Sequence, residues 1–212
     1  TGRENVAIGS QSLTQSTTAN YNTAVGFQAA YSNTTASNNT AVGFQAGYSN
    51  TTGNEHVAIG YRASYTNSSS VRHIAIGYQA NYGGTDTSDM VAVGYRAAFT
   101  SSATTASKAN SVFIGHSAGE AASVTTGPRN NVVYVGHESG KQAAHKANSA
   151  TTGNVYYNTA VGNNAAQWGG LTSGSATANT AIGYNALRGD SFVGASNNTA
   201  IGYNAGYSVT NG

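Results

Sequence analysis

Residues 22–97 read NTAVGFQAAYSNTTASN, NTAVGFQAGYSNTTGNE, HVAIGYRASYTNSSSVR, HIAIGYQANYGGTDTSD and MVAVGYRA, one phrase restarted every 17 residues. Its anchor glycines are Gly26, Gly43, Gly60, Gly77 and Gly94. The phrase occurs once before, at Gly9, and continues at Gly115, Gly136, Gly162, Gly183 and Gly202. The gaps are 17 five times, then 21, 21, 26, 21 and 19, giving eleven copies. A period this short is the mark of a repeat architecture and decides the fold before any single residue does.

Aligned on that glycine, the columns are close to invariant within the chain. Immediately before it stand only Ile or Val: Ile8, Val25, Val42, Ile59, Ile76, Val93, Ile114, Val135, Val161, Ile182 and Ile201. Two before is Ala in nine copies, replaced by Phe113 and Tyr134; three before is Val, Ile or Thr; three after is Ala or Ser. A run of four or five small or β-branched residues predicts a short strand and is too short for a helix. The glycine allows a sharp bend or a close backbone approach. A second short strand is expected over segments such as Gln45-Ala46-Gly47-Tyr48, followed by turn chemistry in Ser49-Asn50-Thr51-Thr52-Gly53-Asn54. The fold class is therefore all-β, a parallel β-solenoid of about eleven rungs, each about 4.8 Å above the last.

In-register stacking places like over like and turns columns into ladders. Phe27, Phe44, Tyr61, Tyr78 and Tyr95 directly follow the glycine, as do Tyr184 and Tyr203; Tyr31, Tyr48, Tyr65, Tyr82 and Phe99 lie five after it, with Tyr207 at the end. Four before it Asn recurs at Asn5, Asn22, Asn39, Asn158, Asn179 and Asn198. Both faces of the Thr-Ala-Val-Gly strand are apolar or small, and such strands are normally covered on both sides. That predicts self-association along the rod, one face inside the roll and the other against a sister chain.

Composition narrows the function. Charged residues are 8% of the 212, against roughly 25% in ordinary soluble domains. A net charge of +2 offers no long-range attraction for nucleic acid, and no apolar run is long enough to insert this segment in a membrane. Without cysteine there is neither a disulfide framework nor a thiolate metal site. The chain begins at Thr1 without a methionine, as a fragment or processed product would. Three parts are expected: 1–99 with the strict 17-residue period, 100–157 with longer connectors, and 158–212 with the terminal rungs.

The phrases NTAVG, HVAIG, HIAIG, NSVFIGHSAG and NVVYVGHESG resemble the head repeats of trimeric autotransporter adhesins, the YadA-type repeat, and related repeats of phage tail fibres. The wording NTAVGFQAGYSNTTG is more similar to the fibre version. The resemblance spans essentially the whole chain. It implies a left-handed parallel β-roll assembled as a homotrimer, extracellular on a virion tail fibre or a bacterial surface. It also implies a non-enzymatic rod that spaces or presents a face to a host glycan or protein receptor. The adhesins' stalk and membrane barrel and the fibres' self-cleaving chaperone domain are not found in the sequence.

Binding candidates follow from the ladders and from where they change. Tyr61, Tyr65, Tyr78, Tyr82 and Tyr95 are the aromatic candidates. His116 and His137 replace the post-glycine aromatic, and Glu120 and Lys141 the later one. Each pair is expected on neighbouring rungs, Glu120 with Lys141 as a solvated ion pair rather than a ligand site. Trp168, in QWGGLTSGSATA, offers a ring for stacking on a sugar or for packing on its own roll. His56 and His73 share the Asn column and read as ladder members, since two imidazoles lack the third ligand a metal needs; no metal or cofactor is expected. Pro128 sits in an inserted turn and Phe192-Val193-Gly194 reads as a loop. Asn33, Asn38, Asn50, Asn67 and Asn197 begin Asn-x-Ser/Thr triplets that are turn composition first and glycan acceptors second.

Catalytic inventory is thin. Asp86, Asp89 and Asp190 lie in connectors, without the paired carboxylates of a glycosidase, so a polysaccharide-degrading tail-fibre domain is disfavoured. An ice- or crystal-surface binder is the other alternative, resting on Thr17-Thr18, Thr34-Thr35, Thr51-Thr52 and Ser68-Ser69; that register breaks at Asp86.

Overall fold

A computed structural model describes residues 2–83, 87–100, 109–120, 129–141, 155–167, 176–189 and 196–207. Among them there is no helix. Eleven three-residue strands carry the repeat: β1 (Val6–Ile8), β2 (Thr23–Val25), β3 (Thr40–Val42), β4 (Val57–Ile59), β5 (Ile74–Ile76), β6 (Val91–Val93), β7 (Val112–Ile114), β9 (Val133–Val135), β11 (Thr159–Val161), β13 (Thr180–Ile182) and β14 (Thr199–Ile201). They form one parallel sheet in that order. The register is unbroken: Ala24 faces Ala41, Ala41 faces Ala58, and Ala92 faces Phe113 although 21 residues separate that pair. Three two-residue strands, β8 (Arg129–Asn130), β10 (Val155–Tyr156) and β12 (Ala176–Thr177), make a second parallel sheet, ordered β12–β10–β8, that accompanies the rungs with longer gaps. The chain is a parallel β-solenoid, as its period predicts.

The anchor glycines explain the strictness of the register. From Gly9 to Gly183 each has φ between +118° and +136°, and a Cβ built there would lie 2.3–2.6 Å from the carbonyl oxygen of the glycine one rung on. No L-side chain fits that space, and the backbone conformation itself disfavours one. The neighbouring amide is engaged at the same point: Gly43 N donates to Val25 O and Gly60 N to Val42 O, each at 2.8 Å.

Two expectations are corrected. The strands are three residues long, not four or five, and the segment after the glycine is a turn, not a second strand. The cause is backbone conformation. Each rung places left-handed residues two and four after the glycine, for example Gln28 (φ +54°) and Ala30 (φ +48°), and Arg62 (+50°) and Ser64 (+51°). Another left-handed residue stands five before it, as at Tyr21 (+58°) and Asn38 (+61°). A chain reversing its φ every second residue cannot be extended, yet its amides still reach the next rung, as Ala30 N does to Ala46 O at 2.9 Å.

The interior is narrow. The Ala two before the glycine and the Ala or Ser three after it are buried in nearly every described rung, so methyl groups fill most of the roll. In β7 and β9 the first of these becomes Phe113 and Tyr134, both fully buried. Space for them comes from Gly119 and Gly140, where an added Cβ would lie 2.2 Å from the Phe113 and Tyr134 rings. Volume is thus traded between two columns of one rung, as close packing demands.

Gly77→Ala is expected to cost about 3 kcal/mol or more, since it combines a disfavoured backbone with a backbone clash. Gly202→Ala, at a similar φ of +128° but meeting only Ala205 Cβ at 4.0 Å, should cost about 1 kcal/mol. Thermal and denaturant unfolding of the two variants checks the difference.

Candidate functional site

The strand alternation aims the alanine inward and its two neighbours outward. On the outer face the Ile/Val column before the glycine and the Val/Ile/Thr column three before it are half-buried to exposed in every rung. Ile59 is 37% and Ile182 39% exposed in mid-stack. The eleven residues from Ile8 to Ile201 therefore line the outside of a single chain, giving an apolar strip as long as the sheet.

Beside it run the aromatic ladders. Phe27, Phe44, Tyr61, Tyr78, Tyr95, His116 and His137 form one uninterrupted stack with centroid spacings of 4.7–5.4 Å and interplanar angles of 16° or less. Tyr31, Tyr48, Tyr65, Tyr82 and Phe99 form a second, at 5.1–5.4 Å. Tyr184 stacks on Tyr203 at 5.3 Å. Nine of the ten residues offered as binding candidates are thus placed, and all nine belong to two columns: Tyr61, Tyr78, Tyr95, His116 and His137 in the first ladder, Tyr65 and Tyr82 in the second, with Glu120 and Lys141 continuing the second. Trp168, like Asp86, Pro128, Asp190 and Phe192–Gly194, lies outside the described residues.

Where the second ladder ends, charge replaces rings. Glu120 is neighboured by Lys141, as expected, at 3.7 Å, but the pair is not a solvated one. Glu120 is buried, its Oε1 accepts from Arg96 Nη2 at 2.8 Å, and Lys141 Nζ also reaches Glu138 Oε1 at 2.6 Å. Gln167 Nε2 donates to Glu138 Oε2 at 2.7 Å. Burial pushes the Glu138 carboxyl up; the bonds from Lys141 and Gln167, with the charges of Lys141 and His137, outweigh it and hold it below its ordinary value. Arg96 also lies 3.9 Å over the Phe99 ring. This network occupies the column that aromatic stacking leaves.

Between the ladders lies a column that sequence reasoning passed over, two after the glycine. Gln28 Nε2 donates to Gln11 Oε1 at 2.6 Å, Gln45 Nε2 to Gln28 Oε1 at 2.7 Å, and Arg62 Nε to Gln45 Oε1 at 2.8 Å. The Arg62 guanidinium carbon is 5.4 Å from the Tyr61 ring centre, 5.1 Å from Tyr65 and 5.9 Å from Phe44. The only available signal was the recurrence of long polar side chains (Gln, Gln, Gln, Arg, Gln, Arg) at one register position.

The Asn column holds rungs together from inside. Asn22 N donates to Asn5 Oδ1, Asn39 N to Asn22 Oδ1 and His56 N to Asn39 Oδ1, all at 2.9 Å. The pattern resumes at Asn179 N to Asn158 Oδ1, 2.8 Å. His56 and His73 continue this column, buried, with ring centres 3.7 Å apart, and Ser64 Oγ is 2.8 Å from His73 Nε2. Among the described residues no group of three or more His, Cys, Asp or Glu is placed to hold a metal. Asn33, Asn50 and Asn67 are also buried and bind their own turns, as Asn50 does to Gly53 in both directions; Asn38 and Asn197 are exposed. Asp89 is forked onto Arg72, Oδ1 to Nε at 2.6 Å and Oδ2 to Nη2 at 3.0 Å.

Compared with known proteins, the chain matches no family model, no curated protein and no solved structure.

The histidine pair makes the stack acid-sensitive. Burial lowers His73 from 6.5 to about 3, and burial followed by the His73 charge lowers His56 well below 6.5. Both are bases depressed in the folded chain. Stability is therefore complete above pH 6.5 and falls as pH drops from there toward 3, because the unfolded chain binds the protons first. The double variant His56→Asn, His73→Asn, using the residue that column otherwise carries, should flatten that loss. Denaturation midpoints between pH 7 and pH 4 measure it.

Proposed function

We propose that this chain is a non-enzymatic structural and adhesive rod, a homotrimeric β-roll segment of an extracellular fibre, on a phage tail or a bacterial surface, that spaces or presents a host-binding face. The observation that carries the reading is the outward apolar strip, Ile or Val in every rung from Ile8 to Ile201, half-exposed along the whole sheet. Monomeric soluble proteins rarely leave so long a contiguous apolar surface uncovered. The occupant that matches it rung for rung is the same strip on another copy, since only an identical stack has the same spacing over eleven strands. A closed ring of parallel copies covers the strip without leaving free ends, and the resemblance to adhesin heads and tail fibres favours three.

The remaining surface suits presentation. Exposed ladders repeat one modest contact many times, and a trimer multiplies it again, so that avidity does not need a single strong site. The ice-surface alternative is weaker, because Thr17, Thr34 and Thr51 donate their hydroxyl hydrogens to the carbonyls of Thr34, Thr51 and Ser68 at 2.9–3.0 Å.

Light scattering after size exclusion should return three times the chain mass of 21.4 kDa. Ile59→Ser with Ile182→Ser should lower that mass while circular dichroism stays β-rich. A wild-type monomer at high concentration would remove the reading.

A further inference from the structure

Three of the described cations, Arg72, Arg96 and Lys141, are held in ion pairs; Arg62 is not, and neither are Arg3 and Arg188, which lie over no aromatic ring among the described residues. Arg72 is paired with Asp89, while Arg96 and Lys141 both reach Glu120. Among the described residues, half-buried Arg62 donates only its Nε, to Gln45, and has no carboxylate partner. Its guanidinium carbon lies in the trough between the two aromatic ladders, 5.4 Å from the Tyr61 ring centre and 5.1 Å from that of Tyr65. On the side toward Gln45 the acceptors of the floor are engaged: Gln28 Oε1 takes Gln45, and Gln45 Oε1 takes Arg62.

What the trough still offers is chiefly donors. Tyr61 and Tyr78 stack face to face within one wall, and Tyr65 and Tyr82 within the other, at 5.0–5.2 Å. Stacking occupies ring faces and leaves the edges, which are the positive part of the aromatic quadrupole, together with the hydroxyls. Positive edges, phenol hydroxyls, second amide hydrogens and an unshared guanidinium all call for a ligand rich in oxygen acceptors and negatively charged. The guanidinium fork selects a planar carboxylate over a compact point charge.

Spacing narrows the class further. Side chains on one face of an extended peptide recur about every 6.7 Å, which slips out of phase with ladders repeating at 5.0–5.4 Å. An extended β-1,4-linked pyranose chain advances about one rung per sugar and turns over at each linkage, so groups on one of its faces recur about every second rung and stay in phase. We propose that the trough around Arg62, walled by Tyr61, Tyr78, Tyr65 and Tyr82, binds an extended acidic polysaccharide of the polyuronate class, one carboxylate seated on Arg62 and sugar hydroxyls along the tyrosine rows. The proposal rests on the reading of the chain as a presenting rod and names what that surface takes.

The probe is a β-1,4-linked oligomannuronate titrated calorimetrically into the full chain, with a neutral β-1,4-mannan oligomer of the same length in parallel. The uronate should bind and the mannan should be weaker by about tenfold or more. Arg62→Gln, which puts in the residue that Gln28, Gln45 and Gln79 already supply to that column, should weaken the uronate by about tenfold. Arg72→Gln, outside the trough, should leave it unchanged. Equal binding of mannan, no binding of either, an unaffected Arg62→Gln, or equally tight binding of polyglutamate or duplex DNA would each overturn the proposal. Light scattering on the same samples verifies that Arg62→Gln keeps the wild-type mass. A monomeric mass there would refute the trimer while the titration still decides the trough.

Discussion

The close approach of one glycine to the next governs this molecule. A carbonyl oxygen sits where a Cβ would be, rung after rung, so no other residue can occupy the position and no rung can slip along its neighbour. A shift of one residue in a parallel ladder would turn the buried alanines outward and place an Ile or Val beneath that carbonyl. Register here is set by a steric exclusion at one atom, with apolar burial only reinforcing it.

That constraint leaves a thin interior. Alanine methyls bury little surface per residue, and several side chains in each rung sit in left-handed backbone that costs about 1 kcal/mol or more apiece outside glycine and asparagine. Cohesion comes instead from repetition along the axis: backbone amides to the next rung, asparagine side chains that bond the amide of the following copy, stacked rings and glutamine chains. Such interactions are individually modest and add up because each has a copy above and below it. Where a ladder residue changes type, the neighbours adjust within the same column or the next. Glu120 gains two cations, and Phe113 gains the absence of a side chain at Gly119.

Much of this was legible because stacking in register makes each structural position a column of residues in the chain itself. The eleven Ile/Val-Gly pairs and both aromatic ladders could be read directly; which strand face turns inward could not, because both are apolar or small and only the structure places alanine inside. The turn after the glycine could not, because most of its left-handed positions are held by Gln, Arg, Ala, Ser, Leu or Glu, residues that announce no such backbone, and Asn or Gly stands there only in some rungs; tertiary hydrogen bonding imposes it. Arg62 was passed over for a related reason. Its importance lies in what surrounds it, and only placing the two ladders on either side shows a guanidinium without a counter-charge among the described residues. The buried Glu120 network was half visible: the Lys141 neighbour follows from register, whereas Arg96 reaches in from the adjoining column.

Successive glycines are 17, 19, 21 or 26 residues apart, yet every strand in the large sheet pairs with its neighbour in the same phase. Contour length and axial height are therefore uncoupled. The molecule is a gauge graduated in turns of chain rather than in amino acids. Residues can be added to a connector at no cost in reach, and only the insertion or loss of a whole turn lengthens or shortens the distance it spans.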